Sequence, residues 1–252
     1  MFDYFPLILL AFLLGVVDSS IGMGYGTVLT PVLLLIGFDP LQVVPAVLVS
    51  QLAGDFLVAF FHHKFKNVDL SISSKHFKVA VTLSLLGSFG SIIAVVIAVN
   101  LPNLLLNLYI GTLFAITGLI VLATKNKNHD FSWTRLLCFG SLAAFNKGIS
   151  GGGYGPIVTA CQILSGVKAR SAIGLISLAE GFTCVVAVLM YVLIGGSINW
   201  LLSILLSIGI ALSTPLAAFV VRKIESRKLI MVIGISTLLL GLSTIIRTLS
   251  FP

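Results

Sequence analysis

Four side chains that can carry charge, Asp18, Asp55, Lys147 and Glu180, stand outside the expected loops of this sequence, within long apolar stretches. A charge near the centre of a bilayer costs a few kcal/mol even on the most lenient scale, so such residues pair, bind a proton or meet a charged ligand. Their placement is regular. Asp18 stands four residues before Gly22, and Lys147 stands four before Gly151. Each leads into a glycine cluster, Gly22-Met23-Gly24-Tyr25-Gly26 or Gly151-Gly152-Gly153-Tyr154-Gly155, and the clusters lie 129 residues apart. Aligning 22–30 with 151–159 gives five identities in nine positions. A shift of three residues then sets Leu52-Ala53-Gly54-Asp55-Phe56 against Leu178-Ala179-Glu180-Gly181-Phe182. The chain reads as an internal duplication whose four charges converge on one centre.

The clusters suggest what that centre binds. A helical arm is expected to begin after Gly26 and again after Gly155, with Pro156 at a first helical position that favours proline. A helix N-terminus carries about half a positive charge and unpaired N–H donors, so two such tips meeting at the midplane would cradle an anion. The candidate binding set is therefore Gly22, Gly24, Tyr25, Gly26, Gly151, Gly153, Tyr154 and Gly155. Asn146, Lys147 and Ser150 would add charge and donors, and Gln51, one turn before Asp55, would face the same cavity. Asp55, Glu180 and Asp18 are candidates to carry a coupling proton or to pair with Lys147. Plainer readings stand beside these: a structural bridge from Asp18 to Lys147, glycines that merely let helices pack closely, and tyrosines buried for packing. His62, His63, His76 and His129 fall in or beside loops and read as solvated rather than metal-binding. Cys138, Cys161 and Cys184 have no CxxC spacing and read as small packing residues. No metal and no cofactor is expected.

The elements that hold these residues are set by composition. Hydrophobic residues make up 58% of the 252, charged residues only 9%, and mean hydropathy is +1.15, where soluble domains carry roughly a quarter charged residues. The fold class expected is an all-α polytopic membrane protein. Spans are expected at 43–62, 75–99, 102–123, 170–194, 197–221 and 229–249, each long enough for a core about 30 Å thick. Residues 4–37 and 134–165 are too long for one crossing and are read as hairpins folded at their glycines. Lys and Arg, 15 against 8 acidic residues, concentrate in 62–78, 124–135, 168–170 and 222–228, which places those loops in the cytoplasm and argues against a nucleic-acid surface. The first segment lacks a basic leader, so no cleavable signal is expected. Two repeats result, 1–124 and 134–252, joined by a cytoplasmic linker at 125–133, with the same element order and opposite orientation, an inverted repeat.

The paired motifs, with Pro31 following the first, resemble those of the TauE/SafE sulfite exporter family, and the resemblance covers essentially the whole chain. It implies a multi-pass permease of the bacterial inner membrane for sulfite, sulfoacetate or other sulfonates, working by alternating access, in the export direction. Tyrosine stands where glycine is more usual in the family, and Ala160 replaces a proline of the second motif. The implied partners are a small anionic substrate and the lipid bilayer, without nucleic acid and with a homo-oligomer left open. The GYG triplets also invite a channel reading, but a filter needs four loops entering from one face. An enzyme is disfavoured by the lack of GxSxG and HExxH motifs. A scaffold without transport is disfavoured by the embedded charges.

Overall fold

The computed structural model describes residues 5–124, 133–154, 169–194, 198–220 and 226–250. Every element among them is an α-helix: α1 (Phe5–Ile21), α2 (Tyr25–Ile36), α3 (Pro40–Lys64), α4 (Lys75–Asn100), α5 (Asn103–Thr124), α6 (Trp133–Ser150), α7 (Ala169–Leu193), α8 (Trp200–Val220) and α9 (Ser226–Ser250). The all-helical expectation holds. Among the described residues five stretches are long and apolar enough to cross a membrane: Pro40–Lys64, Lys75–Asn100, Asn103–Ala123, Ile173–Leu193 and Trp200–Phe219. Their outer faces carry large exposed apolar side chains such as Phe89, Phe219 and Leu193. In a lipid solvent that exposure costs nothing, and the polar residues turn inward instead.

Local signals set the helix ends. Asp39 caps α3 by accepting the Leu41 N–H at 2.8 Å, with Pro40 at the first helical position. Ser74 caps α4 through the Phe77 N–H at 3.0 Å. α2 stops at Gly37, left-handed at φ 113°, whose N–H reaches the Leu33 and Leu34 carbonyls. At 17 and 12 residues, α1 and α2 extend about 26 and 18 Å. Neither arm matches the bilayer core, and together they form a hairpin with its tip at Gly22–Gly24. The second arm begins at Tyr25, two residues before the start at Thr27 expected from the sequence. Residues 125–132 of the expected linker 125–133, and Gly155, Pro156, Thr159 and the rest of the return arm expected for 134–165, lie outside the described residues.

Helix contacts come in matched pairs. α1 packs on α8 and α6 on α4; α3 packs on α8 and α7 on α4. α1 runs parallel to α8, with Ile8 and Ala11 beside Gly209 and Gly15 beside Ser213. α6 runs parallel to α4 in the same way, with Gly140 beside Leu83, Ala144 beside Gly87 and Gly148 beside Ser91. α3 and α7 are antiparallel, Gly174 facing His62 and Gly181 facing Asp55. So are α5 and α9, where Gly111 meets Ile245 and Gly118 meets Gly234 and Leu238.

Candidate functional site

The two glycine turns share one backbone geometry. Gly22, Gly24, Gly151 and Gly153 have φ of 75°, 124°, 68° and 80°, values that other residues adopt only under strain. The Gly22 N–H donates to the Asp18 carbonyl at 2.7 Å, and the Gly151 N–H to the Lys147 carbonyl at 2.8 Å. The tips touch. A Cβ on Gly26 would overlap the Gly151 carbonyl and stand 2.8 Å from Gln51 Oε1; one on Gly152 would stand 2.7 Å from the Gly26 carbonyl. The Gly153 N–H donates to Thr27 Oγ1 at 3.3 Å, which ties the second tip to the first turn of α2.

Around this crossing the structure gathers the charged residues. Lys147 is wholly buried and meets Glu180 Oε1 at 2.5 Å, with a further short bond to Gln51 Oε1. Gln51 Nε2 closes the triangle on Glu180 Oε1 at 3.2 Å. Lys147 therefore bridges to Glu180, not to Asp18; among the described residues this is the ion pair. Asp18 serves hairpin one instead. Its Oδ1 accepts the Tyr25 N–H at 3.1 Å, so a carboxylate of the chain already occupies the positive end of α2. Asp55 is buried on α3 with Cys184 Sγ 4.0 Å from its Oδ2. Lys147 lies within electrostatic reach of Asp18, Asp55 and Glu180, so three carboxylates share one ammonium.

The remaining candidates divide. Asn146 accepts from the Tyr109 hydroxyl. Ser150 Oγ donates within its own turn, to the Asn146 carbonyl at 2.8 Å or the Gly152 carbonyl at 3.0 Å, and accepts the Gly152 N–H at 3.2 Å. The two tyrosines are equivalent in sequence and unlike in bonding. Tyr25 donates its O–H toward Ser50 Oγ at 3.0 Å and the Leu206 carbonyl at 3.3 Å, whereas the buried Tyr154 hydroxyl has no partner among the described residues. Tyr25→Phe should therefore lower stability by about 1 kcal/mol, and Tyr154→Phe should leave the unfolding midpoint nearly unchanged. Thermal unfolding in detergent checks this; equal losses would contradict it. Thr30 Oγ1 and Asp55 Oδ1 are likewise buried without partners.

Four side chains at or near this centre were not among the sequence candidates. Thr27 and Thr30 follow the first cluster on one helical face, and Tyr109 lies in an apolar run of α5; a polar residue in such a run is the signal that could have found them. His62 is the correction. It is wholly buried on α3, with Nε2 3.0 Å from the Ser19 carbonyl, and is not a solvated loop residue. α3 continues to Lys64, and Gly174 leaves space for the imidazole on α7. Cys138 is exposed and Cys184 buried; Cys161 lies outside the described residues. Arg247 falls within α9, so the charges outside loops are not confined to the central four.

An all-helical bundle with apolar outer faces and a buried polar centre defines a multi-pass membrane protein. The chain belongs to the TauE/SafE sulfite exporter family, whose model matches residues 7–244. It is 26% identical over 242 residues to the Probable membrane transporter protein YtnM of Bacillus subtilis (strain 168), a match covering 91% of this chain and 78% of that protein. It is a membrane transporter, not an enzyme, and a place in the bacterial inner membrane fits.

Proposed function

We propose that the protein carries small organosulfur anions, sulfite, sulfoacetate or other sulfonates, across the bacterial inner membrane by alternating access, in the export direction that the family description suggests. The observation that carries this reading is the crossing of the two tips. There a buried ammonium, bonded to Glu180 and Gln51, and an unpartnered Thr30 Oγ1, 3.3 Å from where a Cβ on Gly151 would stand, border touching glycine backbones, and Tyr154 Oη and Asp55 Oδ1 are further buried polar atoms without partners among the described residues. Buried polar groups are ordinarily satisfied, so this cluster suits a polar ligand. The antiparallel pairing of α3 with α7 and α5 with α9 supports an inverted repeat, which suits rocking of one half against the other around a fixed site.

Charge supports coupling to protons. Three carboxylates near one ammonium leave a net negative centre if all are ionised. At an effective dielectric of ~20, each carboxylate roughly 6 Å from an anion opposes it by about 3 kcal/mol. An anion is therefore accepted when protons neutralise part of the cluster, and a proton on Glu180 also frees Lys147 to face the substrate. Glu180→Gln, which resembles the protonated acid, should fold, bind and transport but lose the pH dependence of transport; Asp55→Asn should do the same more weakly. Sulfite and sulfoacetate flux in proteoliposomes with an imposed pH gradient tests this. Full pH-driven accumulation in both variants would exclude coupling through these carboxylates, and conductance in place of saturable flux would favour a channel.

A further inference from the structure

Away from the central site, a cavity of about 260 Å³ opens where the end of α2, the start of α3, the start of α5 and the end of α9 come together. Its polar lining comes from Asp39, Asn103, Asn107, Thr244, Arg247 and Thr248. Donors and acceptors divide unevenly across it. Arg247 is pinned, because Nη1 donates to the Leu34 carbonyl at 2.8 Å and to the Leu35 carbonyl. Nη2 lies beside Gly37, 3.7 Å from where a Cβ would stand. A guanidinium has five N–H donors, and those two carbonyls take only part of them.

The other side of the cavity accepts. Asp39 takes the Leu41 N–H at 2.8 Å and the Asn103 amide at 2.7 Å, and a carboxylate has about four acceptor sites. Thr244 and Thr248 give their O–H groups to the Leu240 and Thr244 carbonyls, both at 2.8 Å, so they present lone pairs to the cavity. Asn107 Oδ1 is buried without a partner. Arg247 and Asp39 line one cavity, yet no ion pair joins them. A simple anion would meet Asp39 and a simple cation would meet Arg247. A molecule carrying both charges satisfies each.

We propose that this cavity binds a small zwitterion, with a phosphate or sulfonate on Arg247 and a primary ammonium among Asp39, Asn107 Oδ1 and the threonine hydroxyls. Two sources share that chemistry, a free aminoalkyl phosphate or sulfonate and a lipid headgroup of the phosphoethanolamine type. The rim favours access from the membrane, since Ile36, Leu104 and Leu249 are exposed beside it.

The test uses the full chain and thermal unfolding. In detergent, O-phosphoethanolamine should raise the midpoint, while inorganic phosphate and phosphocholine, which lacks N–H donors, should need at least tenfold higher concentration for the same shift. Asp39→Asn keeps a capping side chain and Asn107→Leu touches no anchoring bond; each should weaken the O-phosphoethanolamine effect about tenfold. Nanodiscs separate the sources. If the headgroup is the occupant, phosphatidylethanolamine discs should be more stable than phosphatidylcholine discs, and added O-phosphoethanolamine should shift only the latter. If the free molecule is the occupant, it should shift both. Equal shifts with inorganic phosphate or phosphocholine, unchanged response in both variants, or no shift in any medium would overturn the proposal.

Discussion

Lys147→Ala should weaken sulfite binding by a hundredfold or more and cost the fold about 3–5 kcal/mol, because Glu180 would remain buried without its counter-charge. The two effects can be separated. In the double variant Lys147→Met/Glu180→Gln the bonded ion pair leaves as a unit, so much of the stability should return while binding should not. Lys64→Ala, at an exposed lysine, should change neither by more than a few tenths of a kcal/mol. Thermal unfolding with and without sulfite reads both quantities. Affinity within twofold of the parent in Lys147→Ala would reassign the ammonium to a purely structural bridge.

The crossing of the tips gives the second large effect. Alanine at Gly152 places a methyl 2.7 Å from the Gly26 carbonyl and 2.9 Å from Phe114 Cζ. Alanine at Gly26 drives one into the Gly151 carbonyl. The obstacle is mainly backbone held by two glycine turns, so it yields little, and each substitution should cost about 1–3 kcal/mol. Transport should fall at least tenfold, since the tips would be forced apart at the proposed substrate site. Gly181→Ala is the control: its methyl would meet Asp55 Cβ at an ordinary 3.4 Å. Flux in proteoliposomes compares the three, and a Gly152→Ala variant as active as Gly181→Ala would remove the crossing from the mechanism.

The glycine turns were legible because positive φ restricts the residue type directly, and duplication printed the same pattern twice. The all-helical class was legible because apolar runs about 20 residues long have few other solutions in lipid. The division of labour between equivalent positions was not. Asp18 and Lys147 sit at the same point of two turns, but one caps the Tyr25 N–H within its own hairpin and the other reaches across to Gln51 and Glu180. That choice depends on which helix faces each tip, which local spacing does not encode. His62 was misread for a similar reason. Beside Lys64 and Lys66 it looks like the start of a loop, and the space that buries it belongs to Gly174 on another helix. Arg247 carries no sequence signal of its role because its partners are backbone carbonyls at the end of α2, which leave no mark on the residue types there.

The pairing of α1 with α8 also bears on how the protein is made. Tyr25 donates to the carbonyl of Leu206, 181 residues later in the chain. At roughly 5–20 residues per second of synthesis, that partner emerges about 10–35 s after the hairpin itself. Through this interval Asp18, Ser19 and Ser20, all buried in the finished structure, have α2 and α3 beside them but not α8. The first hairpin is thus an early-made, late-docked element, and its polar tip must be shielded by the insertion machinery or by water until the second half arrives.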